Sequence, residues 1–193
     1  MTPLLAFDTA RAHCAACLLV GDQTIVRVDE MAKGQAEHLM PMLEEMLAEQ
    51  SLAWADLKAI GVGTGPGNFT GIRISVAAAR GLALGLKVPA VGVTHLEAQV
   101  HGLPRPVSAI CPAPREQVYL QAFADDPGKI ELVPDDSPHA VAAGAPLTAD
   151  QLIRNIAKIA VSRAQDAPER PKPTYVRPAD AAPPRDTAPV ILD

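Results

Sequence analysis

The chain has 193 residues and a formal net charge of −5, from 17 lysines and arginines against 22 aspartates and glutamates. Hydrophobic residues make up 48 %, which excludes a wholly disordered chain and allows a sizeable core. The mild acidity argues against nucleic-acid binding by this chain alone, because neutralising phosphates needs a basic surface.

Five short apolar runs in the first half of the chain predict β-strands. They lie at 4–7, 14–20, 24–28, 59–62 and 90–93. A Gly-Asp turn separates the second run from the third, which is typical of a hairpin. Helical patterns separate the third, fourth and fifth runs. The predicted order is therefore β-β-β-α-β-α-β, which indicates an α/β fold.

The first helical pattern follows the third predicted strand. Its apolar residues recur at intervals of three and four along one face, at Leu39, Met42, Leu43, Met46 and Leu47. Pro41 is best tolerated in the first turn of a helix, so we expect the helix to begin near His38.

The second helix is predicted over 71–86, with Thr70 as its N-cap. It is rich in small residues and contains Gly81 and Gly85. Glycine inside a helix costs about 1 kcal/mol relative to alanine. Two such glycines therefore predict that another backbone approaches this helix closely.

The composition changes along the chain. Eight of the 13 glycines lie between Gly61 and Gly92, whereas fifteen of the 19 prolines lie in 104–193. This asymmetry predicts two unlike units, a first over 1–103 and a second over 104–193.

The second unit has fewer clear elements. Apolar patterns predict strands at 107–111 and 117–124 and a helix at 147–163. The chain that follows is rich in proline and alanine, and only 175–176 and 190–192 give it apolar anchors. We expect this tail to lie back on the first unit through those anchors.

A glycine-rich loop joins the predicted strand 59–62 to the helix 71–86. A helix N-terminus favours anions because its N–H groups are free and the helix dipole points at them. The loop lacks the lysine of a Walker A loop, and its glycine spacing does not match the dinucleotide-binding pattern. An anion site and a tight turn for close helix packing both remain open. The residues that could contact a nucleotide phosphate are Asp8, Thr9, Gly65, Gly67 and Thr70.

Other reactive residues do not form a readable site. Cys14 and Cys17 have the spacing of half a zinc site, but residues three apart in a strand point to opposite faces, which favours buried thiols. His95, Glu97 and His101 are close in sequence, but a surface loop explains them as well. No Ser/His/Asp or Cys/His arrangement is evident, and we predict no metal site.

The chain has no signal for export or for a membrane. Three cysteines do not make a disulfide framework, and no basic stretch precedes an apolar run at the N-terminus. Arg80 and Lys87 interrupt the longest apolar run. We therefore expect a cytoplasmic protein without membrane association.

The segment 63–73, GTGPGNFTGIR, resembles the GxGPGSFTGxRxG signature of the TsaB (YeaZ) family. Further matches follow in that family's order, at 6–10, 38–43, 81–85, 91–93, 118–119 and 173–177. The resemblance is dense over 1–123 and thin over 124–172.

This resemblance implies an α/β fold of the actin/Hsp70-like, ribonuclease H-like type, with a complete N-terminal lobe and a reduced C-terminal lobe. It also implies a non-catalytic subunit that pairs with the paralogous enzyme TsaD and is joined by the ATPase TsaE. The implied reaction is threonylcarbamoylation of adenosine 37 in tRNAs that read ANN codons. We expect tRNA contact only through that complex, and a homodimer where the partner is absent.

The resemblance places the partner interface on the two predicted helices. The expected interface residues are Leu39, Met42, Leu43, Met46, Arg73, Ser75, Ala78, Ala79 and Leu82. No tightly bound cofactor is expected, and contact with ATP or ADP at the partner interface stays open. The alternative function is a stand-alone actin-like phosphotransferase or hydrolase that uses Asp8 and the glycine-rich loop.

The chain departs from the family pattern at several positions. Asn68 replaces the usual serine, 112–117 replaces an acidic-Ala-Arg stretch, and 124–172 is shorter than usual. Where TsaD has a second metal-binding histidine, this chain has Gln99, four residues after His95. A neutral amide is a poor ligand for transition metals, so we expect a vestigial site.

Overall fold

The computed structural model describes residues 2–143 and 145–176. Its strands are β1 (Leu4–Asp8), β2 (His13–Val20), β3 (Gln23–Glu30), β4 (Ala59–Gly63), β5 (Ala90–Val93), β6 (Val107–Ala113), β7 (Gln117–Phe123) and β8 (Glu131–Pro134). Its α-helices are α1 (Gln35–Glu49), α2 (Phe69–Leu86), α3 (His95–Gln99), α4 (Pro138–Ala142) and α5 (Ala149–Arg163). The predicted anchor at 190–192 and the last residue of the 173–177 match lie outside the described residues.

The strands form two sheets. A five-stranded sheet has the order β3-β2-β1-β4-β5, and a three-stranded sheet has the order β6-β7-β8. In the larger sheet β1 is antiparallel to β2 and parallel to β4, which is parallel to β5. The smaller sheet is antiparallel throughout. The predicted α/β fold and its first five strands are confirmed.

Helices cover both faces of the five-stranded sheet. Along β1, Leu5 and Phe7 belong to the core shared with α1 and α2, whereas Leu4 and Ala6 belong to the core shared with α5. This alternation follows from the two-residue period of a strand. Because α5 comes from the second predicted unit, the first sheet completes its core with residues from beyond 103. The boundary at 103 stays a prediction.

Three short elements after β5 were not predicted. They are β8, α3 and α4, each of four or five residues. Elements this short contain barely one helical turn or two strand repeats, so their apolar pattern cannot be distinguished from a loop. Of these, α3 matters most for the site, because it follows β5 directly and packs against β6.

The predicted start of α1 near His38 is wrong. The helix begins at Gln35, after Gly34 with φ 88°, and Pro41 lies in its interior. Proline there removes one backbone donor that would otherwise bond to the carbonyl of Glu37. The buried face of α1 compensates, since all five of its predicted apolar residues are buried.

The predicted N-cap of α2 is also wrong. Asn68 caps the helix, and its side-chain Oδ1 accepts a hydrogen bond from the backbone N–H of Gly71 at 2.9 Å. The backbone N–H of Asn68 donates to the carbonyl of Ala10 at 2.7 Å. This bond holds the loop against the β1–β2 turn. The cap therefore lies two residues before the predicted one, and Thr70 lies within the first turn of a helix that starts at Phe69.

Replacing Asn68 by alanine is expected to lower the free energy of unfolding by about 1 kcal/mol, because one helix N–H loses its acceptor. The matched control is Thr70→Ala, at an exposed position of the same turn, with an expected change below about 0.5 kcal/mol. Urea denaturation of both variants measures the difference. Equal losses, or a larger loss for Thr70→Ala, would contradict the assignment of the cap.

Among the described helices, α2 alone is long and apolar enough to span a membrane by length and composition, with a mean hydropathy of 1.3. This differs from the expectation based on Arg80 and Lys87. Ile72, Val76 and Ala79 pack one face of α2 into the core beside the five-stranded sheet. The apolar composition of α2 is therefore also that of a helix with one face in the core.

Candidate functional site

A buried ionic cluster lies where β1 and β5 end. Asp8 is the last residue of β1, His95 starts α3 directly after β5, and His13 starts the antiparallel β2. His95 Nε2 lies 2.8 Å from Asp8 Oδ1, and His13 Nε2 lies 3.1 Å from Asp8 Oδ2. The backbone N–H of Ala10 donates to the same Oδ2 at 3.2 Å. Asp8 therefore holds two histidines and the following turn in place.

Cys111 of β6 extends this cluster across to the smaller sheet. Its Sγ lies 3.9 Å from His95 Nδ1 and 3.6 Å from a terminal guanidinium nitrogen of Arg11. The thiol also donates to the carbonyl oxygen of Pro66 at 3.2 Å. Asp8, His95 and Cys111 thus form a continuous line of acceptor, imidazole and thiol, with Arg11 beside the sulfur.

The charges within this cluster shift its pKa values in consistent directions. Burial raises the pKa of Asp8, but the charge of His95 and hydrogen bonds from both histidines outweigh it and hold that pKa well below its usual range. Burial lowers the pKa of His95, but the charge and hydrogen bond of Asp8 raise it to about 9. At neutral pH the cluster therefore holds an ionised Asp8 and a protonated His95.

The stability of the protein is expected to depend on pH through His95. Its pKa is raised from 6.5 to about 9 on folding, so its contribution is complete below pH 6.5 and is lost as the pH rises through about 9. In a Cys111→Ser background, which removes the thiol titration together with the part of the His95 shift that Cys111 causes, the free energy of unfolding should still fall across that window, by less than roughly 3 kcal/mol. The lowered pKa of Asp8 makes the stability depend on pH only under acidic conditions.

The control for this pH dependence is His95→Gln in the same Cys111→Ser background. Urea denaturation between pH 6 and pH 10 should show a lower free energy of unfolding for the glutamine variant at pH 6. It should also show a smaller decline with pH than the parent has. Parallel curves for the two proteins would mean that His95 does not carry the dependence.

A cleft of about 370 Å³ opens beside Cys111. It is lined by residues of the β1–β2 turn, the start of α1, the glycine-rich loop and the smaller sheet, among them Arg11, Gln35, Asn68, Cys111 and Tyr119. Within the described residues, Arg11 Nε is the one buried side-chain nitrogen or oxygen without a hydrogen-bond partner. The cleft therefore has a cationic residue in its wall.

The proposed phosphate contacts lie in a tightly packed region. Asp8 and Thr9 are buried, and the hydroxyl of Thr9 donates to the carbonyl of Gly71 at 2.6 Å. A Cβ at Gly67 would overlap the carbonyl oxygen of Ala10. This close fit is what the tight-turn interpretation predicts. Of the remaining residues in that set, Gly65 is buried and Thr70 is exposed; contact with a nucleotide stays a prediction.

Six of the predicted interface residues do not form a surface. They are at most 1 % exposed and lie in the interior of the protein: Leu39, Met42, Leu43, Met46, Ser75 and Ala79. The expectation that these six side chains contact a partner is therefore wrong for this fold, because they are already packed inside it. Ala78 and Leu82 are half-buried against the same core, and Arg73 is exposed.

The outward face of α2 is a different set of residues from the predicted one. Ala77, Gly81, Leu84 and Gly85 are exposed, and Leu84 is 78 % exposed. A Cβ added at either glycine would meet no atom within 4 Å. The backbone that we expected to approach this helix is therefore not supplied by the described part of the chain. We refer to these four residues as the outer α2 face.

The end of the described chain lies against the first turns of α2. Arg73 Nε donates to the hydroxyl of Tyr175 at 2.7 Å, and its guanidinium carbon lies 3.8 Å above the Phe69 ring. The backbone N–H of Thr174 donates to the carbonyl of Thr64 at 2.8 Å. The expected anchoring of the tail at Tyr175 is confirmed.

The residues present do not fit a metal ion. Both ring nitrogens of His95 already face Asp8 and Cys111. Gln99, at the position of the second histidine in the TsaD pattern, points its amide at the carbonyl of Ala145. In the described ranges, no group of three or more His, Cys, Asp or Glu side chains could hold a metal.

The line from Asp8 through His95 to Cys111 was missed at the sequence level. No Cys/His arrangement was readable in the sequence, and the structure brings one together at His95 and Cys111. Half of the line could have been found, since the carboxyl ends of the parallel strands β1, β4 and β5 lie at one edge of the sheet and bring Asp8 near His95. The approach of Cys111 could not have been found, because this residue belongs to the second sheet. No pattern in the sequence indicates where that sheet packs.

The comparisons with known proteins agree with the motif. A family model described as "TsaD: tRNA N6-adenosine threonylcarbamoyltransferase" matches residues 29–173. The chain is 32 % identical over 99 residues to "tRNA threonylcarbamoyladenosine biosynthesis protein TsaB" of Escherichia coli, covering 51 % of this chain and 43 % of that protein. It is 34 % identical over 130 residues to the protein of that name in Haemophilus influenzae, covering 63 % and 54 %.

The fold has a solved counterpart as well. The structure "YeaZ from Pseudomonas aeruginosa" superposes with a TM-score of 0.69 at 24 % identity, covering 91 % of this chain and 100 % of that one. The alignments span about half the length of the two curated relatives. The α/β architecture with its mixed sheet is consistent with the actin-like expectation. The chain belongs to the TsaD family described by that model, and its resemblance to the TsaB (YeaZ) proteins is confirmed.

Proposed function

We propose that this chain is a non-catalytic subunit in the biosynthesis of threonylcarbamoyladenosine in tRNA. In this role it pairs with a TsaD-like enzyme, which carries out the transfer to adenosine 37 of tRNAs that read ANN codons. The names of the relatives support the pathway, since TsaB of Escherichia coli is described as a threonylcarbamoyladenosine biosynthesis protein.

The proposed partner surface is the outer α2 face. Leu84 has 78 % of its surface exposed, and Gly81 and Gly85 leave open space where side chains would stand. Small residues on a helix let a second helix approach closely, and burying one exposed leucine stabilises a complex by roughly 1.5–3 kcal/mol. A helix of the TsaD-like partner is the occupant that this surface fits.

The remaining partners follow from the same role. A TsaE-like ATPase joins the complex, and tRNA is contacted mainly by the partners, because this chain carries a net charge of −5. ATP or ADP is contacted only weakly, at the partner interface, and no cofactor is held tightly. Where the partner is absent, two copies associate through the same face. The complex works in the cytoplasm.

The two sheets have unequal roles in this proposal. The five-stranded sheet with α1 and α2 corresponds to the complete actin-like lobe, and the three-stranded sheet corresponds to the reduced lobe. What supports this assignment is the number of strands and the two helices on one face of the larger sheet.

Replacing Leu84 by glutamate is expected to weaken association with the TsaD-like paralogue at least about tenfold, because a charge would be buried at the contact. The matched control is Val141→Glu on α4, an apolar residue that is 69 % exposed and lies far along the chain. Titration calorimetry with the purified partner measures both affinities, and thermal unfolding verifies that both variants fold. Unchanged affinity for Leu84→Glu would remove this face from the interface.

The same preparation decides between the scaffold and the stand-alone enzyme. The purified chain is incubated with ATP and Mg²⁺, and released phosphate is measured. The proposal predicts no turnover above that of a heat-unfolded sample, since Asp8 is buried with both carboxylate oxygens bonded. Steady hydrolysis that is lost in Asp8→Asn would favour the phosphotransferase or hydrolase instead.

A further inference from the structure

The surroundings of Cys111 are not explained by a scaffold role. A buried thiol in a structural position is normally surrounded by apolar groups and behaves as a small hydrophobic side chain. Cys111 instead lies 3.9 Å from an imidazole nitrogen and 3.6 Å from a guanidinium nitrogen. Behind the imidazole, a buried carboxylate fixes its orientation at 2.8 Å. Cationic groups placed in this way stabilise the thiolate form of a cysteine.

The other two cysteines of the chain provide an internal contrast. Burial raises the pKa of Cys14 to about 11 and that of Cys17 to about 12, and neither has a cationic partner within hydrogen-bond distance. Burial also raises the pKa of Cys111, but the hydrogen bond and charge of His95, followed by Arg11, outweigh it and lower the pKa below its ordinary value. The hydrogen bond from the Cys111 thiol to the carbonyl of Pro66 opposes ionisation of the thiol, but it does not cancel the effects of His95 and Arg11 on the pKa.

Cys111 also differs from Cys14 and Cys17 in its position. It is buried as they are, at 1 % exposure, but it lies in the wall of the cleft of about 370 Å³ with Arg11 and Tyr119, and the other two cysteines do not. Arg11 Nε is buried without a hydrogen-bond partner among the described residues, while the terminal nitrogens of the same guanidinium contact the carbonyl of Leu147 and the sulfur of Cys111. A buried donor without an acceptor is costly, and an anionic group in the cleft would satisfy it. The cleft therefore combines a sulfur nucleophile with an unused cationic donor.

We propose that Cys111 is a reactive nucleophile that forms a covalent bond with a small electrophile carrying a negatively charged group. His95, held by Asp8, and Arg11 stabilise the sulfur anion, and Arg11 also attracts the negative group of the reagent. His95 is a positioning residue here, since it acts through the sulfur. This inference does not depend on the proposed role in tRNA modification.

The step can be written with iodoacetate as the probe. The thiol proton leaves to solvent, and the sulfur lone pair attacks the methylene carbon of iodoacetate. A sulfur–carbon bond forms while the carbon–iodine bond breaks, and iodide leaves with the bonding pair. His95 and Arg11 keep their protons throughout. The sulfur ends as a neutral thioether, and the carboxylate of the attached carboxymethyl group adds one negative charge to the site.

The experiment measures alkylation of the folded full-length chain at pH 7 with iodoacetate and with iodoacetamide. Peptide mass spectrometry follows each cysteine separately, and free cysteine serves as the reference thiol. Cys111 should react at least about tenfold faster than Cys14 and Cys17. The ratio of the iodoacetate rate to the iodoacetamide rate should be at least about threefold higher for Cys111 than for free cysteine. In Arg11→Gln this ratio should fall to the value of free cysteine.

The pH profile of the wild-type rate keeps the proposal testable without any variant. The groups around Cys111 that carry charge or titrate are His95, Arg11, Asp8, His13 and Tyr119. The alkylation rate should rise with pH to a plateau. The midpoint of that rise should lie below 9.0, the ordinary pKa of a thiol. In His95→Gln the midpoint should move upward.

Two results would overturn the proposal. One is a Cys111 that reacts no faster than Cys14 and Cys17 until the protein is unfolded, which would make it a structural thiol. The other is a rate midpoint at or above the ordinary thiol pKa in the folded wild-type chain. An unchanged midpoint in a folded His95→Gln variant would remove His95 from the site.

Discussion

Replacing Met42 by glutamate is expected to destabilise the fold strongly instead of weakening a protein–protein contact. Met42 is fully buried in the core between α1 and the five-stranded sheet. A carboxylate placed there would be either charged and unpaired or protonated with its hydrogen bonds unmet. The expected loss is at least about 4 kcal/mol, a large part of the roughly 5–15 kcal/mol that stabilises a domain. Thermal unfolding monitored by circular dichroism measures it.

The control for this substitution lies on the same helix. Ala48 is exposed on α1, so Ala48→Glu introduces the same charge and a similar helix propensity without burial. Its free energy of unfolding should remain within about 0.5 kcal/mol of the wild type. A folded Met42→Glu variant that only loses partner binding would show that this face of α1 is a surface, and it would restore the original sequence-based interface.

Adding one methyl group to two glycines of α2 is expected to change stability in opposite directions. A Cβ at Gly71 would overlap the carbonyl oxygen of Thr9 and lie 3.3 Å from the Cα of Ala10. Both neighbours are backbone, and Asn68 holds the loop to the same turn, so the structure has little room to relax. Gly71→Ala should therefore lose about 3 kcal/mol or more, at the upper end for overpacking.

Gly81→Ala is the matched change ten residues along the helix, where a Cβ would meet no atom within 4 Å. Removing a helical glycine should stabilise the isolated chain by about 0.5–1 kcal/mol. Chemical denaturation of both variants measures whether the free energy of unfolding falls or rises in each. A loss at Gly81 equal to that at Gly71 would mean that a part of this chain covers the outer α2 face, and the proposed partner surface would be wrong.

The elements with strong local signals were predictable from the sequence. The strands of the larger sheet are short apolar runs bounded by glycine, proline or charged residues, and this punctuation determines where they end. The cap of α2 was less accessible. Asn68 and Thr70 are both good caps, and the choice depends on the hydrogen bond that ties Asn68 to Ala10 on another turn.

The interface prediction failed because an apolar stripe carries no information about what covers it. The stripe with Met42 and Met46 has the spacing expected for a partner-binding helix and for a core helix alike. Only the position of the five-stranded sheet decides between them. The outer α2 face consists of alanine and glycine with Leu84, beside the exposed Arg73 and Arg80, and small residues give a weak hydrophobic signal.

The candidate site shows the same division. The meeting of Asp8 with His95 follows from the parallel arrangement of β1, β4 and β5, which the strand pattern already indicated. The approach of Cys111 depends on how the smaller sheet packs against α3. That packing buries Leu96, Ala109 and Tyr119 together, and no local pattern predicts it.

The central claim is that this chain supports threonylcarbamoylation of tRNA by binding a TsaD-like enzyme through the outer α2 face. The most direct measurement is nucleoside mass spectrometry of tRNA from a strain depleted of the chain. The strain is complemented with the wild type, Leu84→Glu or Val141→Glu at equal protein levels. We predict that threonylcarbamoyladenosine falls on depletion and returns with the wild type and Val141→Glu but not with Leu84→Glu. Unchanged threonylcarbamoyladenosine on depletion, or full recovery with Leu84→Glu, would contradict the claim.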